Sequence, residues 1–486
     1  MINRIIFYLI LFFSANSFAQ EQLGASTSNY TPTLSVFTNP SSMLDAKTWL
    51  DIHIVGGGAY AMNNLAYVEN SGIIPLIRNR DKGFDNSSVK FDKNRNNYKV
   101  YNRNFVNILS GVWSQGDHAA GVFFNARSFS IARGVSDDLI GIIDSSLIGN
   151  PVAKNYDFDF SEMNLSSINF GEIQLSYGYM FYKKRRDMLM GGISVKKFIP
   201  IAGAALQVND LRFNLCSDTS FNYLFADMDA MFAQQSNNFL KGGMGLDLGF
   251  TYQRMLSDCR GYFPNSRKMG CRTLNYKYKI GVSVLDIGSA KFNKDDVQRK
   301  GVRIDLPDLY YADYTDVDPD DIFQAIQSLD SIFDDERVGN VNKIDLPTAL
   351  SVQFDYNLFQ SRFYGFGSIM QGLPISKQKF GLRRANSLMV GARFESRFCD
   401  IAIPISLYEY TTPQIGLSMR IYCLTIGTDK LLSLFGNTNV HGGDIYAHLK
   451  IPIFYNPKCR GRKGSSPKSY NPKQIRKKKN DCPAYQ

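Results

Sequence analysis

The residues best suited to chemistry are few and scattered. The four histidines are His53, His118, His441 and His448. None has the spacing that would put two imidazoles on one metal or beside a nucleophile. The seven cysteines, Cys216, Cys259, Cys271, Cys399, Cys423, Cys459 and Cys482, include no C-x-x-C pair, so neither a zinc knuckle nor a dithiol centre is indicated. Asp316, Asp318 and Asp320 imitate the start of a calcium loop. Asp321, however, stands where that loop needs glycine, and Gln327 where it needs a bidentate glutamate. A solvated acidic helix start is the better reading. Gly56-Gly57-Gly58 lacks the lysine and the strand–turn–helix setting of a phosphate loop. Glycines there mark a bend or a close backbone approach in a strand. With no clustered acid, base, nucleophile or metal set, an enzyme is not expected and no cofactor is implied.

The compartment decides what the cysteines can do. Arg4, the apolar run Ile5 to Phe13 and the small-residue site Ser17-Phe18-Ala19 form an export leader spanning residues 1–19. The run is too short to cross a bilayer, which takes about 20 apolar residues. No cysteine follows the cut, so lipid attachment is not expected. In an oxidising compartment Cys259 and Cys271, flanking one loop, are the expected disulfide. Cys459 and Cys482 bracket the C-terminal tail and could close it. Cys423, on the apolar face of a strand, reads as a packed thiol.

The net charge of +11 is concentrated in that tail. Arg460, Arg462, Lys463, Arg476, Lys477, Lys478 and Lys479 are its candidate partner-binding residues, able to meet the anionic cell wall or an acidic envelope protein. A solvated basic extension of residues 456–486 is the alternative, because its Pro, Gly, Ser and Lys content predicts disorder when free. Nucleic acid is not an expected partner of an exported chain.

The elements around these residues read as long amphipathic strands. From Gly242, Met244, Leu246, Leu248, Phe250 and Tyr252 face one way and Gly245, Asp247, Gly249, Thr251 and Gln253 the other. Tyr278, Ile280, Val282 and Val284 repeat the pattern, as do runs near 105–131, 168–198, 350–356, 388–394, 415–421 and 445–453. Several reach the 9–11 residues of a tilted membrane strand. An arginine facing lipid at mid-bilayer costs about 2–4 kcal/mol. Asp247, Asp355, Arg393, Glu395 and Arg397 are therefore assigned to a polar lumen. The fold expected is all-β, a closed antiparallel transmembrane barrel of about 14 strands over residues 48–455; a fifteenth weak candidate conflicts with the even number that closure favours. Short turns should lie at one end and long loops at the other. Residues 20–47 form a plug-like segment. Helical spacing is expected for Leu224, Met228, Met231, Phe232 and Phe239, for Leu139, Ile140, Ile143 and Leu147 after a start at Ser136-Asp137-Asp138, and from Asp318.

GGMGLDLGFTYQR with KIGVSVLDIG resembles a strand pair of FadL/PorV-like outer-membrane barrels, and more narrowly a Bacteroidota family of unknown function. TNPSSMLDA is similar to the asparagine–proline segment that opens those barrels, and GTDKLLSLFGNTNVHGGDIYAHLKIPI to their penultimate loop and closing strand. The resemblance runs from about residue 35 to 455 and leaves out the basic tail. It implies an outer-membrane barrel in a Gram-negative envelope with its N-terminal segment inside. It also implies one of two roles: passing hydrophobic small molecules, or acting as a non-catalytic partner in surface export and assembly. The basic tail and the absence of catalytic clusters point first to an accessory or scaffold subunit. The alternative, a FadL-like transporter, requires a lateral opening or a continuous apolar path beside the plug.

Overall fold

The computed structural model describes residues 22–78, 89–92, 98–141, 156–217, 220–235, 242–265, 273–306, 310–311, 341–374, 380–435 and 438–457. Sixteen strands carry the architecture. They are β1 (Leu50–Asn63), β2 (Tyr98–Gln115), β3 (His118–Val135), β4 (Met163–Lys184), β5 (Asp187–Ser217), β6 (Ser220–Gln234), β7 (Met244–Met255) and β8 (Tyr276–Lys291). There follow β9 (Val297–Leu306), β10 (Ala349–Phe359), β11 (Phe363–Gly372), β12 (Ser387–Glu395) and β13 (Cys399–Tyr408). The last are β14 (Thr412–Ile415 with Leu417–Ile421), β15 (Leu424–Thr428) and β16 (Gly442–Ile453).

All but β6 and β9 are staves of a closed 14-strand antiparallel barrel. β1 pairs with β2 on one edge and β16 on the other, Leu50 lying opposite Ile453 and Met62 opposite Gly442. Closure leaves no free edge, which matters because hydrocarbon offers no partner to an unpaired N–H or C=O.

The expected alternation is present. On β7, Met244, Leu248 and Phe250 are exposed while Gly245, Asp247, Gly249, Thr251 and Gln253 are buried. On β4, Ile173, Leu175, Tyr177, Tyr179 and Phe181 face outward. With Trp113, these tyrosines set an aromatic girdle near one end of the wall. That end carries the tight turns after β2, β4, β10, β12 and β14, and one longer connection, 256–275. The other end carries most of the long loops. The first of them, expected as plain loop from Asn63 to Asn104, holds a small sheet (Ala66–Ser71 paired with Val89–Phe91 and Thr438–Val440), a helix (Ile73–Arg78) and the first rungs of β2.

Among the described residues the wall forks once. β5 is 31 residues long; its first part pairs with β7 (Lys197 opposite Met244), and from Ala202 it pairs with β6 instead. β6 in turn pairs with β9. Leu224, Met228, Met231 and Phe232 therefore lie in a strand, not the expected helix. The upper half of β5 supplies each of these four with a ladder partner, and that pairing overrides the local spacing. Phe239 lies outside the described residues, as does the helix expected from Asp318. The helix expected after Ser136 starts at 137 and is described as far as 141. The crotch of the fork is closed by backbone: Phe198 N–H donates to the Gly243 carbonyl (3.0 Å). A side chain at 243 would begin 1.6 Å from the Ser289 carbonyl oxygen, so only glycine fits there.

Two further placements differ from expectation. Cys423 sits in the turn between β14 and β15. Arg397 sits exposed in the turn after β12, its guanidinium 4.5 Å over Phe454 and 4.9 Å over Tyr455. It is not a lumen residue, because β12 ends at Glu395 and the alternation ends with it.

Gly243→Val is expected to overpack the fork and cost about 1–3 kcal/mol, read as a lower temperature for the folded-to-unfolded mobility shift on gels. Gly141→Ala, with no atom within 4 Å of the added methyl, is the control that should not move.

Candidate functional site

The inward faces of the staves, with the N-terminal segment between them, form a layered lumen. Residues 22–48 lie inside it. Leu23–Ser26 (α1) and Pro32–Ser35 (α2) are single helical turns, followed by a 3-10 helix, Pro40–Asp45. Asn39 caps that helix, accepting from Ser41 N–H (3.0 Å), with Pro40 at the position where a missing N–H does no harm. The Asn39 amide also donates to Gln353 Oε1 (3.0 Å) and Thr251 Oγ1 (3.3 Å). The wall is smooth where this turn touches it. A Cβ at Gly249 would meet Asn39 Oδ1 at 2.2 Å, and one at Gly192 would meet Ser41 N at 2.4 Å.

Charged residues hold the plug. Glu395 accepts from Asn29 N–H (2.6 Å) and from its side-chain amide (2.8 Å), and pairs with Lys47 at 3.4 Å. Burial opposes the charge on Lys47, but the Glu395 carboxylate outweighs it and holds the ammonium above its ordinary value. Arg393 donates to Asp355 Oδ2 (2.7 Å), which also accepts from Tyr276 (3.0 Å). Ser28 donates to Asp400 (2.6 Å), itself paired with Arg420, and Thr33 donates to Asp51 (2.8 Å).

A second network lies above the plug. Arg127 forks onto Asp286 (2.8 and 2.7 Å) and reaches Glu172 (2.8 Å); Lys196 bridges Asp247 and Asp286, both at 2.7 Å. Asp286 is a bulge residue with φ of 54°, and its N–H donates to Asp247 Oδ1 (2.7 Å). Asp247, Asp355, Arg393 and Glu395 are thus all lumen residues, split between two clusters. Arg127, Glu172, Lys196, Asp400 and Arg420 were not singled out in the sequence, although their inward parity in a strand is the same signal. Asp286 had no such signal, since the bulge that aims it breaks the alternation.

Toward the loop end, a layer of aromatic and aliphatic side chains stands over this network: Phe129, Phe170, Phe198, Phe292, Ile344, Phe366, Leu382 and Met389, all buried in one cluster. Phe170 meets Phe198 edge-on at 5.3 Å, and the Arg127 guanidinium lies 4.9 Å from the Phe129 ring. Above the layer opens a vestibule of about 1340 Å³, lined by Arg133, Asp137, Asp159, Glu162, Lys343, Asp345 and Arg383 among others, with Leu346 and Leu382 in its floor. Burial, then the charge of Arg133, hold Arg383 below its ordinary value. A further cavity of about 60 Å³ lies beside the plug and one of about 30 Å³ under Leu382–Ala385. Of the two routes the transport alternative allows, the continuous apolar path is not open among the described residues, because the aromatic layer fills it.

At the turn end Val36, Met43, Leu44, Phe123, Met190, Tyr262 and Tyr276 form an apolar seal. The 256–275 connection crosses beneath it, Asn265 donating to the Ser114 carbonyl (3.1 Å) and Gly116 N–H to that of Pro264 (2.8 Å). Cys259 in this connection is a buried free thiol, which burial raises above its ordinary value; it donates to the Asp187 carbonyl at 3.4 Å. Its expected disulfide partner, Cys271, lies outside the described residues, as do Cys459, Cys482 and the basic residues Arg460, Arg462, Lys463 and Arg476 to Lys479. No disulfide is found among the described residues. His53 and His448 meet in the lumen (Nε2 to Nδ1, 2.9 Å), a pairing that spacing did not reveal. No group of three or more His, Cys, Asp or Glu suited to a metal occurs among the described residues.

The family model described as "Family of unknown function (DUF5723)" matches residues 40–429. No curated protein matches the sequence. Among solved structures, the chain is similar to the CymD monoaromatic hydrocarbon channel (9% identity, covering 89% of this chain and 95% of that one, TM-score 0.33). It is also similar to the Pseudomonas putida toluene transporter TodX (9%, 89% and 96%, TM-score 0.31) and the Ralstonia pickettii toluene transporter TbuX (7%, 86% and 93%, TM-score 0.32).

Asp286→Asn is expected to leave Arg127 and Lys196 under-compensated and to cost about 3–5 kcal/mol, measured by denaturant titration of the reconstituted barrel. Gly249→Val should spare the barrel but displace the Asn39 turn. Its readouts are new protease cleavage between residues 22 and 48 and the appearance of ion conductance in planar bilayers.

Proposed function

The chain belongs to this family of unknown function, and from its lumen we propose that it is a non-catalytic, gated outer-membrane passage for small hydrophobic molecules, delivered to the envelope by its leader. The observation that carries this reading is the aromatic layer. Barrel interiors are ordinarily polar, and apolar side chains inside a channel are a sink for apolar solutes. Here the layer sits directly below an open vestibule and includes Phe198, which flanks the fork in the wall. An apolar solute arriving in the vestibule gains by entering the layer. The Asp286 network beneath offers it only desolvation cost. Onward movement then requires either release of the plug or parting of β5 from β7, where the fork already ends the ladder. Hydrocarbon and toluene passage are the activities named for the similar barrels; the aromatic layer of this chain carries the reading, not that likeness.

The accessory reading, a scaffold in envelope assembly or protein export, rests on the basic tail, whose charged residues lie outside the described residues, and on the lack of catalytic clusters, which passage shares. No described feature favours it over passage. Recovery of a stoichiometric envelope partner with the native protein would favour it.

Cells carrying the wild-type protein are expected to accumulate a radiolabelled lipophilic probe faster than cells without it. Phe129→Asp and Phe170→Asp should abolish the difference while the barrel still shows its folded gel mobility. Uptake that is unchanged by both substitutions sinks the proposal.

A further inference from the structure

β15 has only five residues, about half of what a membrane strand needs. Its neighbours run on past it. β16 continues from Tyr446, opposite Gly427, up to Gly442, and β14 continues from Leu417, opposite Thr428, up to Thr412. The wall therefore has a notch above Thr428. The notch lies within the apolar belt, since Ile415 on one flank and Ile445 on the other are both exposed and apolar.

A gap at that depth must be filled by backbone that satisfies its own hydrogen bonds, and a helical turn does so. The short helix Leu431–Phe435 stands there, in contact with both β14 and β16 and with the helix Ile73–Arg78. On its inner side Asp429 N–H donates to the Asp444 carboxylate and Thr428 Oγ1 donates to the Asp444 carbonyl (2.7 Å), which seals the notch against the lumen. Four of its five residues are large and apolar and none is buried, Leu432 and Phe435 being the exposed ones. Phe435 is 69% exposed, the highest value among the large hydrophobics of the described residues, and Leu432 54%; side chains of the lipid-facing wall such as Leu109 (64%) and Leu175 (60%) lie in the same range. In water this would be a costly surface for a five-residue helix.

We propose that Leu431–Phe435 is a membrane-embedded piece of the wall, a helical patch completing the belt where β15 stops, with Leu432 and Phe435 in contact with lipid acyl chains. Continuity with the belt on both flanks argues for lipid as the occupant over a partner protein. The inference needs only the closed barrel and is independent of what passes through it.

The test places tryptophan at position 435 or 432 (Phe435→Trp, Leu432→Trp), with Trp49 and Trp113, the two native tryptophans, replaced by phenylalanine. The proteins are reconstituted in vesicles whose phospholipids carry bromine on the acyl chains. Folded gel mobility is checked first, and Ile426→Trp on β15 is the reference for a lipid-facing site. The expected result is a loss of fluorescence at 435 and 432 equal to that at 426, with aqueous iodide having no effect. Quenching by iodide with none by bromolipid would show a water-facing helix and overturn the proposal. So would a protein adduct formed by a photo-crosslinker at 435 in native membranes, which would assign the patch to a partner.

Discussion

Hydrocarbon has nothing to offer a peptide N–H or C=O, and every feature of this molecule answers to that. Leaving one such group unpaired costs several kcal/mol, so the β1–β16 ladder that shuts the ring is the interaction on which the rest depends. The same demand explains the places where the ring departs from regularity. At the fork, glycine lets backbone meet backbone without a gap. Above β15, a helical turn stands in for missing rungs. The bulge at Asp286 is tolerated because the displaced N–H is received by Asp247.

A closed ring sets the second problem, which is how to fill it. A ring this wide leaves an interior that side chains alone do not close, and the chain fills it in layers of different chemistry. The ion clusters are expensive to dehydrate, and each carboxylate is offset by a cation or several donors. Their value lies in geometry: Asp286, held by Arg127 and Lys196, joins β3, β5 and β8 across the lumen. Glu395 performs the same service for the plug, since its partners include a backbone N–H of the plug and Lys47 just before β1. Polar bonds of this kind hold a segment in one pose, yet a water-filled lumen can replace them one by one. The aromatic layer has no such substitute. It lies between vestibule and ion network and divides the lumen into a wet half and a held half.

Much of this was legible beforehand, for a simple reason. A residue's parity along a strand follows from covalent geometry, so Met244 through Gln253, Ile173 through Phe181 and Ile445 through Ile453 declared their two faces without any knowledge of their neighbours. Burial of Asp247, Asp355, Arg393 and Glu395 followed from parity and the cost of a charge in lipid. Arg397 did not obey, because parity has no meaning once a strand has turned. Leu224, Met228 and Met231 misled because helix and strand compete locally, and the deciding ladder lay on the preceding strand β5, outside the short stretch from which a helical stripe is read.

The amino-acid order by itself determined the class of object: an alternating chain with polar linkers and almost no reactive clusters, because those properties depend on residues close together along the chain. Only the tertiary structure decided which charges meet, where the wall forks and what stands in its notch. Asp286 reaches Arg127 across 159 positions and Asn29 reaches Glu395 across 366. Contacts of that range are set by ring closure and shear, which no local window contains.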